Sequence, residues 1–129
     1  MPAVLENGLV KGPLEEGEQM GEAERPAVLI VTVEVAEEDV EELNRWYEEE
    51  HRPEKLSLAG YRSLRRYRAA DGSPTFLAVY ELDHPGVAAV SGGSHTEMSE
   101  WMKAVMAKWK RWDRAVWTEL APAGDVGSR

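Results

Sequence analysis

Residues 61–82 have the sequence YRSLRRYRAADGSPTFLAVYEL, in which two strand-like segments flank a turn. The segment 75–82 is rich in aromatic and aliphatic residues, as is typical of a strand with a buried face. Asp71 and Gly72 lie between the two segments, and an Asp-Gly pair in that position is a strong indication of a hairpin. The sequence therefore predicts two antiparallel neighbouring strands, near 60–69 and 75–83.

A strand and a helix precede this hairpin. Residues 27–35 are apolar and largely β-branched, which predicts a buried strand. The acidic residues that follow favour the start of a helix over 38–51. Pro53 disfavours helix at the residue before it, so we expect the helix to end near His51, with an extra turn closed by Gly60.

A second helix and a fourth strand follow the hairpin. Ser94 and Glu97 fit a capping box at the start of a helix over 95–108. Four apolar residues at helical spacing predict the face that packs on the sheet: Met98, Trp101, Met102 and Val105. With a strand near 112–120, the order of elements is β-α-β-β-α-β. This is the ferredoxin-like α+β arrangement, a four-stranded antiparallel sheet with two helices on one face.

The opposite face of such a sheet has no helices to cover it. We expect residues such as Phe76, Tyr80, Trp112 and Tyr67, or their alternates, to lie there. Trp112 and Trp117 must face opposite sides of their strand because an odd number of positions separates them. Burying this face requires a partner, so the sequence predicts a homodimer through the sheet faces, a dimeric α+β barrel.

The composition is that of a globular protein of one domain. The chain has 129 residues, of which 43% are hydrophobic, and no segment approaches the roughly 20 apolar residues of a membrane span. The sequence has no cysteine, which excludes disulfides and thiolate chemistry and fits a cytoplasmic location. The net charge of −9 argues against nucleic acid as a partner. We expect neither nucleic-acid nor membrane binding.

The chain also divides into three parts by composition. Residues 1–25 are acidic and interrupted by glycines, which predicts a disordered tail; the alternative is an arm that docks on a partner subunit. Residues 26–122 form the predicted folded domain, and 123–129 a frayed tail. The N-terminal segment has no basic region and no long apolar one, so we expect no secretory signal.

The densest group of candidate functional residues lies at the end of the first predicted helix. Tyr47 and His51 are one helical turn apart and therefore share a face. Histidine suits proton transfer near neutral pH, although a histidine at a helix end also interacts favourably with the helix dipole. Trp46 is either a ligand contact or a core residue.

The second strand carries four arginines. Strand alternation places Arg65 on one face with Tyr61, and Arg62, Arg66 and Arg68 on the other. An inward Arg65 would hold a carboxylate or enolate oxygen. The alternative is that these arginines pair with the acidic first helix.

No motif predicts a cofactor. His84 and His95 have no partner at the spacing of metal ligands, and phosphate-binding and nucleophile-elbow motifs are absent from the sequence. The stripe of Met98, Met102 and Met106 is more typical of a core than of a cofactor site. We therefore expect no metal and no cofactor.

Three stretches of the chain together resemble the dimeric α+β barrel superfamily, and most of all its EthD-like members. They are NRWYEEEHRPE (44–54), AGYRSLRRY (59–67) and GSPTFLAVYEL (72–82). The family pattern has a W-Y-x-x-x-H-x-P helix end, a Pro-Gly or Ala-Gly before the second strand, and a Y-L-A-x-Y-E-L third strand. Ala59 stands where proline is common in the family. The resemblance spans about residues 27–120.

This resemblance implies a homodimer in which each subunit keeps a pocket between sheet and helices. It implies a cofactor-independent enzyme that acts on a small aromatic, polyketide-like or lactone substrate by oxygenation, cyclisation, dehydration or isomerisation. His51 would be the general acid or base, Trp46, Tyr47 and Tyr80 would line the pocket, and Arg65 would stabilise negative charge. Two alternatives stay open: a non-catalytic small-molecule-binding or structural dimer, and, less favoured, haem binding through His51.

Overall fold

The strands form one antiparallel sheet in the computed structural model, which describes residues 25–91 and 98–121. They are β1 (Ala27–Glu34), β2 (Tyr61–Arg68), β3 (Thr75–Leu82) and β4 (Arg111–Thr118). Their spatial order is β2-β3-β1-β4, and each neighbouring pair is antiparallel. This topology confirms the predicted ferredoxin-like α+β fold.

The helical elements follow β1 and β3. The first helical stretch, residues 37–56, consists of a 3₁₀ turn (Glu37–Asp39), α1 (Val40–Trp46), a π-helical turn (Tyr47–His51) and α2 (Arg52–Leu56). Between β3 and β4 lie α3 (Gly86–Ser91) and α4 (Glu100–Met106). The helix α3 was not predicted, because its Pro-Gly start is equally typical of a turn at the end of a strand.

The first helical stretch continues past His51, which corrects the predicted helix end. Pro53 occupies the second position of α2, where a missing N–H group breaks no intrahelical bond. The π turn before it shifts the hydrogen-bond pattern, since the Arg52 N–H bonds to the Tyr47 carbonyl five residues back. Gly60 closes the stretch at a φ of +92°, as its position predicts.

Ser99 is the N-cap of α4. Its Oγ accepts a hydrogen bond of 2.9 Å from the Met102 N–H. The predicted cap of Ser94 and Glu97 lies outside the described residues, as do the predicted tails apart from Arg25. Of the four residues predicted to pack α4 on the sheet, Val105 is buried, Trp101 and Met102 are half-buried, and Met98 is exposed.

The register of β1 and β3 decides which residues enter the core. Leu29 pairs with Tyr80 and Val33 pairs with Phe76, and all four side chains are buried under the first helical stretch. Trp112 also pairs with Val33 and so lies on the helical side of the sheet. The prediction that Phe76, Tyr80 and Trp112 lie on the uncovered face is therefore wrong, because pairing puts them in register with the buried positions of β1.

The prediction that Tyr67 lies on the uncovered face is confirmed, and Trp117 lies there with it. Trp117 pairs with Val28 and Tyr67 pairs with Leu77, and these pairs point away from the helices. The side chains of Trp117 and Tyr67 are 58% and 51% exposed. The prediction that Trp112 and Trp117 face opposite sides is confirmed.

A β-bulge at the start of β2 changes its predicted alternation. Tyr61 pairs with Leu82 and Ser63 with Glu81, so Arg62 is an extra residue in this strand. Tyr61 therefore lies on the helical side of the sheet with Leu64. The prediction that Tyr61 shares a face with Arg65 is wrong.

Within residues 25–91 and 98–121, no helix is long and apolar enough to cross a membrane. The same residues contain no group of three or more His, Cys, Asp or Glu side chains placed to hold a metal ion.

Candidate functional site

A cavity of about 270 Å³ lies between the sheet and the helices. Its sheet side consists of Leu29, Val31, Tyr80, Trp112 and Arg114. The other walls come from the first helical stretch and from α4 with its flanking residues: Trp46, Tyr47, His51, Glu54, Lys55, Met98, Met102, Met106 and Trp109. Aromatic rings and methionine side chains predominate, with a few polar groups among them. This combination is typical of a site for a small, largely apolar ligand.

His51 is buried in the wall of this cavity, with 5% of its surface exposed. Its Nε2 lies 2.8 Å from the Tyr80 hydroxyl, within hydrogen-bond distance. Its ring stacks on Trp46 at a centroid distance of 4.5 Å and meets the Tyr47 ring edge-on at 5.1 Å. The π turn explains the stacking, because its i→i+5 pattern brings residues five apart onto one side of the helix.

Burial keeps the His51 imidazole neutral. It lowers the pKa of His51 to about 3, with the positive charges of Lys55 and Arg66 acting in the same direction. A hydroxyl group can donate or accept, so the ring proton occupies either nitrogen. Within the described parts of the chain Nδ1 has no hydrogen-bond partner, so it leaves a donor or a lone pair unused.

The tyrosines next to His51 stay protonated. Burial raises the pKa of Tyr80 well above its usual value, and the neighbouring Tyr47 adds to the effect. Burial also raises the pKa of Tyr47, although the Arg66 charge opposes that shift. At neutral pH the group therefore consists of a neutral imidazole and two phenol hydroxyls, which can accept or donate a proton in a reaction and carry no charge at rest.

Arg66 places a positive charge behind this group. Its guanidinium lies over the Tyr47 ring, 4.1 Å from the centroid, and donates a hydrogen bond of 2.8 Å to Asn44 Oδ1. Its Nε and Nη2 atoms are buried with no hydrogen-bond partner among residues 25–91 and 98–121. Burial lowers the pKa of Arg66. An anion that forms near His51 would therefore be stabilised by a cation that is already in place.

Glu50 connects the two helical walls of the cavity. Its carboxylate accepts a hydrogen bond of 3.1 Å from Trp46 Nε1 and another from the Ser99 hydroxyl. The same Ser99 side chain caps α4. The Glu50 carboxylate therefore bonds both the Trp46 indole, on which the His51 ring stacks, and the N-cap residue of α4.

Four of the five predicted site residues come together. His51, Trp46, Tyr47 and Tyr80 contact one another and line the cavity. Arg65 does not join them: it pairs with Val79 on the uncovered face and is exposed. The placement of Arg65 corrects the expectation that it points into the pocket, because it has the opposite strand parity to Leu64, which pairs with Tyr80.

Several lining residues were not predicted as functional. Lys55 lies four residues after His51, and this i+4 spacing was a usable signal. The methionine stripe is more typical of a core, as the sequence predicts, yet its three members line the cavity. Trp109 and Arg114 gave no functional signal in the sequence, because their places in the cavity wall depend on tertiary packing.

No protein-family model matches the chain, and no curated protein matches it significantly. Solved structures with similar folds exist. A protein of unknown function from Bacteroides thetaiotaomicron, named as a possible oxidoreductase, is 13% identical with a TM-score of 0.62, covering 75% of this chain and 100% of its own.

Two further structures match to a similar extent. A protein from Nitrosomonas europaea, provisionally assigned as an antibiotic biosynthesis monooxygenase, is 17% identical with a TM-score of 0.61, over 76% of this chain and 93% of its own. A dimeric ferredoxin-like protein from an uncultured marine organism is 12% identical with a TM-score of 0.58, over 79% and 94%. At these identities the similarity establishes the ferredoxin-like fold of the chain, and function requires argument from the site.

Proposed function

We propose that this chain is a cofactor-independent enzyme of the EthD-like dimeric α+β barrel type. Its substrate is a small aromatic, polyketide-like or lactone compound, held in the cavity beside His51. The observation that carries the proposal is the buried, neutral His51, hydrogen-bonded to Tyr80 through one nitrogen and unpartnered at the other among the described residues. The cysteine-free composition makes the cytoplasm its expected location.

The low pKa of His51 determines how it can act. A charged imidazolium is unfavourable in this site, so His51 accepts a proton only when a negative charge forms beside it. Abstraction of a proton from an acidic carbon or phenol of the substrate meets that condition, because the imidazolium and the enolate or phenolate form together as an ion pair. The Arg66 charge behind Tyr47 favours the anion. This step is shared by oxygenation, cyclisation, dehydration and isomerisation of such substrates.

The names of two neighbours agree with this reaction class. One is provisionally assigned as an antibiotic biosynthesis monooxygenase and another is named as a possible oxidoreductase. These names support a small-molecule role for the fold and suggest which substrates to try first.

The uncovered sheet face supports a homodimer. Ile30, Leu77 and Val79 occupy its centre, and Trp117 and Tyr67 stand more than half exposed beside them. An apolar face of this kind is typical of a permanent interface. One neighbour with the same fold is named as a dimeric protein. We infer that two copies pack through this face, which leaves each cavity on the outer, helical side of its own sheet.

A non-catalytic binding dimer is the second candidate. It is favoured by the close packing of His51 between Trp46 and Tyr80, which would serve a purely structural histidine equally well. Haem ligation through His51 has no support from this geometry, because Nε2 is hydrogen-bonded and the ring is stacked on an indole.

Turnover distinguishes the enzyme from the binder. Anthrone and a small set of aromatic lactones would be incubated with the purified protein and followed by absorbance. We expect His51→Ala to lower turnover at least about a hundredfold, as is usual for loss of a general acid–base. Tyr80→Phe, which removes only the hydroxyl bonded to His51, should have a smaller effect.

The matched control is Tyr67→Phe, which makes the same change on the uncovered face. It should leave turnover unchanged. Equal turnover by the wild type and His51→Ala, in protein that binds the compound, would reject the catalytic role and favour the binding dimer.

A further inference from the structure

Two cationic side chains of the cavity wall form no ion pair with a carboxylate of the described residues. Lys55 of α2 is half-buried, and Arg114 of β4 is exposed. Burial lowers the pKa of Lys55 and the charge of Arg114 acts in the same direction, whereas the charge of the neighbouring Glu54 opposes the shift. Both residues line the cavity. No ion pair within 4 Å joins either of them to a carboxylate anywhere in residues 25–91 and 98–121.

The lack of a partner is not explained by a shortage of acidic residues. The chain carries 24 acidic and 15 basic residues, and the other cations within its described helices pair with carboxylates. Arg45 pairs with Glu49 at 3.4 Å and Arg52 pairs with Glu48 at 2.8 Å. Lys55 instead lies over the Tyr61 ring, with its ammonium 5.4 Å from the centroid. A half-buried cation without a carboxylate, in an acidic protein, indicates a place for an anion that binds from solution.

Two unpartnered polar atoms belong to other walls of the same cavity. They are His51 Nδ1 and Trp109 Nε1, both buried and both without a hydrogen-bond partner in the described parts of the chain. Buried polar groups are nearly always satisfied, so an unsatisfied one in a cavity wall is available to hydrogen-bond a water molecule or a ligand atom. The cavity wall therefore combines two cations and one carboxylate, that of Glu54, with neutral polar groups among aromatic rings.

We propose that the ligand of this cavity is a ring compound with a single carboxylate. The carboxylate binds Lys55 and Arg114, and the ring system lies against His51, Trp109 and the methionine stripe. A ring fits better than a chain because the walls are aromatic faces and thioethers around a compact space of about 270 Å³. This inference rests on the proposed function and specifies the substrate class for the same site.

The test compares an acid with its neutral amide. The full chain would be titrated with 2-naphthoate, 2-naphthamide and octanoate, with binding followed by calorimetry and by quenching of the tryptophans in the cavity wall. We expect 2-naphthoate to bind at least about tenfold more tightly than 2-naphthamide, which is ordinary for a charge-assisted contact. Octanoate should bind more weakly than 2-naphthoate.

Two variants locate the effect. Lys55→Gln and Arg114→Gln should each weaken 2-naphthoate binding about tenfold and leave 2-naphthamide binding within about twofold. Lys103→Gln makes the same charge change on α4, where Lys103 pairs with Glu100 away from the cavity, and should change neither affinity. Thermal melting of each variant verifies that it is folded.

Four results would overturn the inference. They are equal affinity for acid and amide, a preference for the acid that survives both substitutions, binding of octanoate as tight as that of 2-naphthoate, and absence of binding by both naphthalene compounds. The proposed function would still be judged separately, by the effect of His51→Ala on turnover of uncharged anthrone.

Discussion

The buried neutral His51 should make the stability of the protein fall steeply in mild acid. In the unfolded chain histidine titrates near pH 6.5, whereas the folded pKa is about 3. Between these two values the unfolded state binds a proton at this position and the folded state does not. Stability therefore decreases as pH falls from 6.5 towards 3. Above pH 6.5 both states are neutral at this position and the contribution is fully present.

The size of the effect follows from the two pKa values. Between pH 7 and pH 5 the unfolded state gains about 2 kcal/mol from protonation of this one side chain. With a urea m-value of about 1.5 kcal/mol/M for a chain of this size, the unfolding midpoint should fall by just over about 1 M. The measurement is urea unfolding at pH 7 and pH 5, at one fixed protein concentration because a dimer would unfold in a concentration-dependent way.

Two variants isolate His51 from the other titrating groups. In His51→Gln the carboxylates still titrate, so the part of the acid destabilisation that disappears belongs to His51. His84→Gln is the matched control, since His84 is exposed in the loop before α3, and it should keep the wild-type loss. An equal loss of unfolding free energy by the wild type and His51→Gln between the two pH values would show that His51 does not cause the acid destabilisation.

Three other outcomes follow from the fold. Trp101→Ala should lower the free energy of unfolding by about 1–3 kcal/mol, which is less than for a buried tryptophan. The reason is that Trp101 is half-buried against α1, with its Nε1 3.2 Å from Glu42. Urea unfolding measures this loss, and a value above about 4 kcal/mol would contradict the half-buried placement. Gly60→Ala should lower the stability of the protein more than Gly72→Ala in the same urea experiment. Both glycines have a positive φ, but only at Gly60 would an added Cβ lie 2.5 Å from the Val87 side chain. Equal losses of stability would contradict this close contact. Light scattering at micromolar concentration should give twice the 14.4 kDa of one chain, and a clean monomer would reject the dimer.

The sequence predicted the fold well because its signals are local. The Asp71-Gly72 turn pairs two strands at once, and Gly72 has the positive φ of +85° that such a turn favours. The order of strands and helices then leaves few topologies. The helix end could not be predicted in the same way, because Pro53 is compatible both with a stop and with a restart after a π turn.

The site was predictable only in part. Tyr47 and His51 sit on one helix, and their spacing alone indicates a shared face. The stacking of Trp46 on His51 requires a π turn, which no propensity indicates. Arg65 could not be placed for a different reason. No local signal shows whether the odd-numbered or the even-numbered residues of this arginine-rich strand face the helices. The bulge at Arg62 also reverses the alternation at the start of β2.

The residues from the second half of the domain depend on tertiary pairing. Arg114 lines the cavity because it pairs with Val31 on the helical side of β1. The pairing of β1 with β4 joins residues far apart in sequence, so the convergence of Arg114 with Lys55 is visible only in the folded chain.

We propose that the ligand of this protein binds in the cavity beside His51. The most direct test is a crystal of the full chain soaked with anthrone. We expect ring density between His51, Trp109 and Met102, with a ligand oxygen within hydrogen-bond distance of His51 Nδ1. A cavity that stays closed by protein side chains, or density found only on the uncovered sheet face, would contradict it.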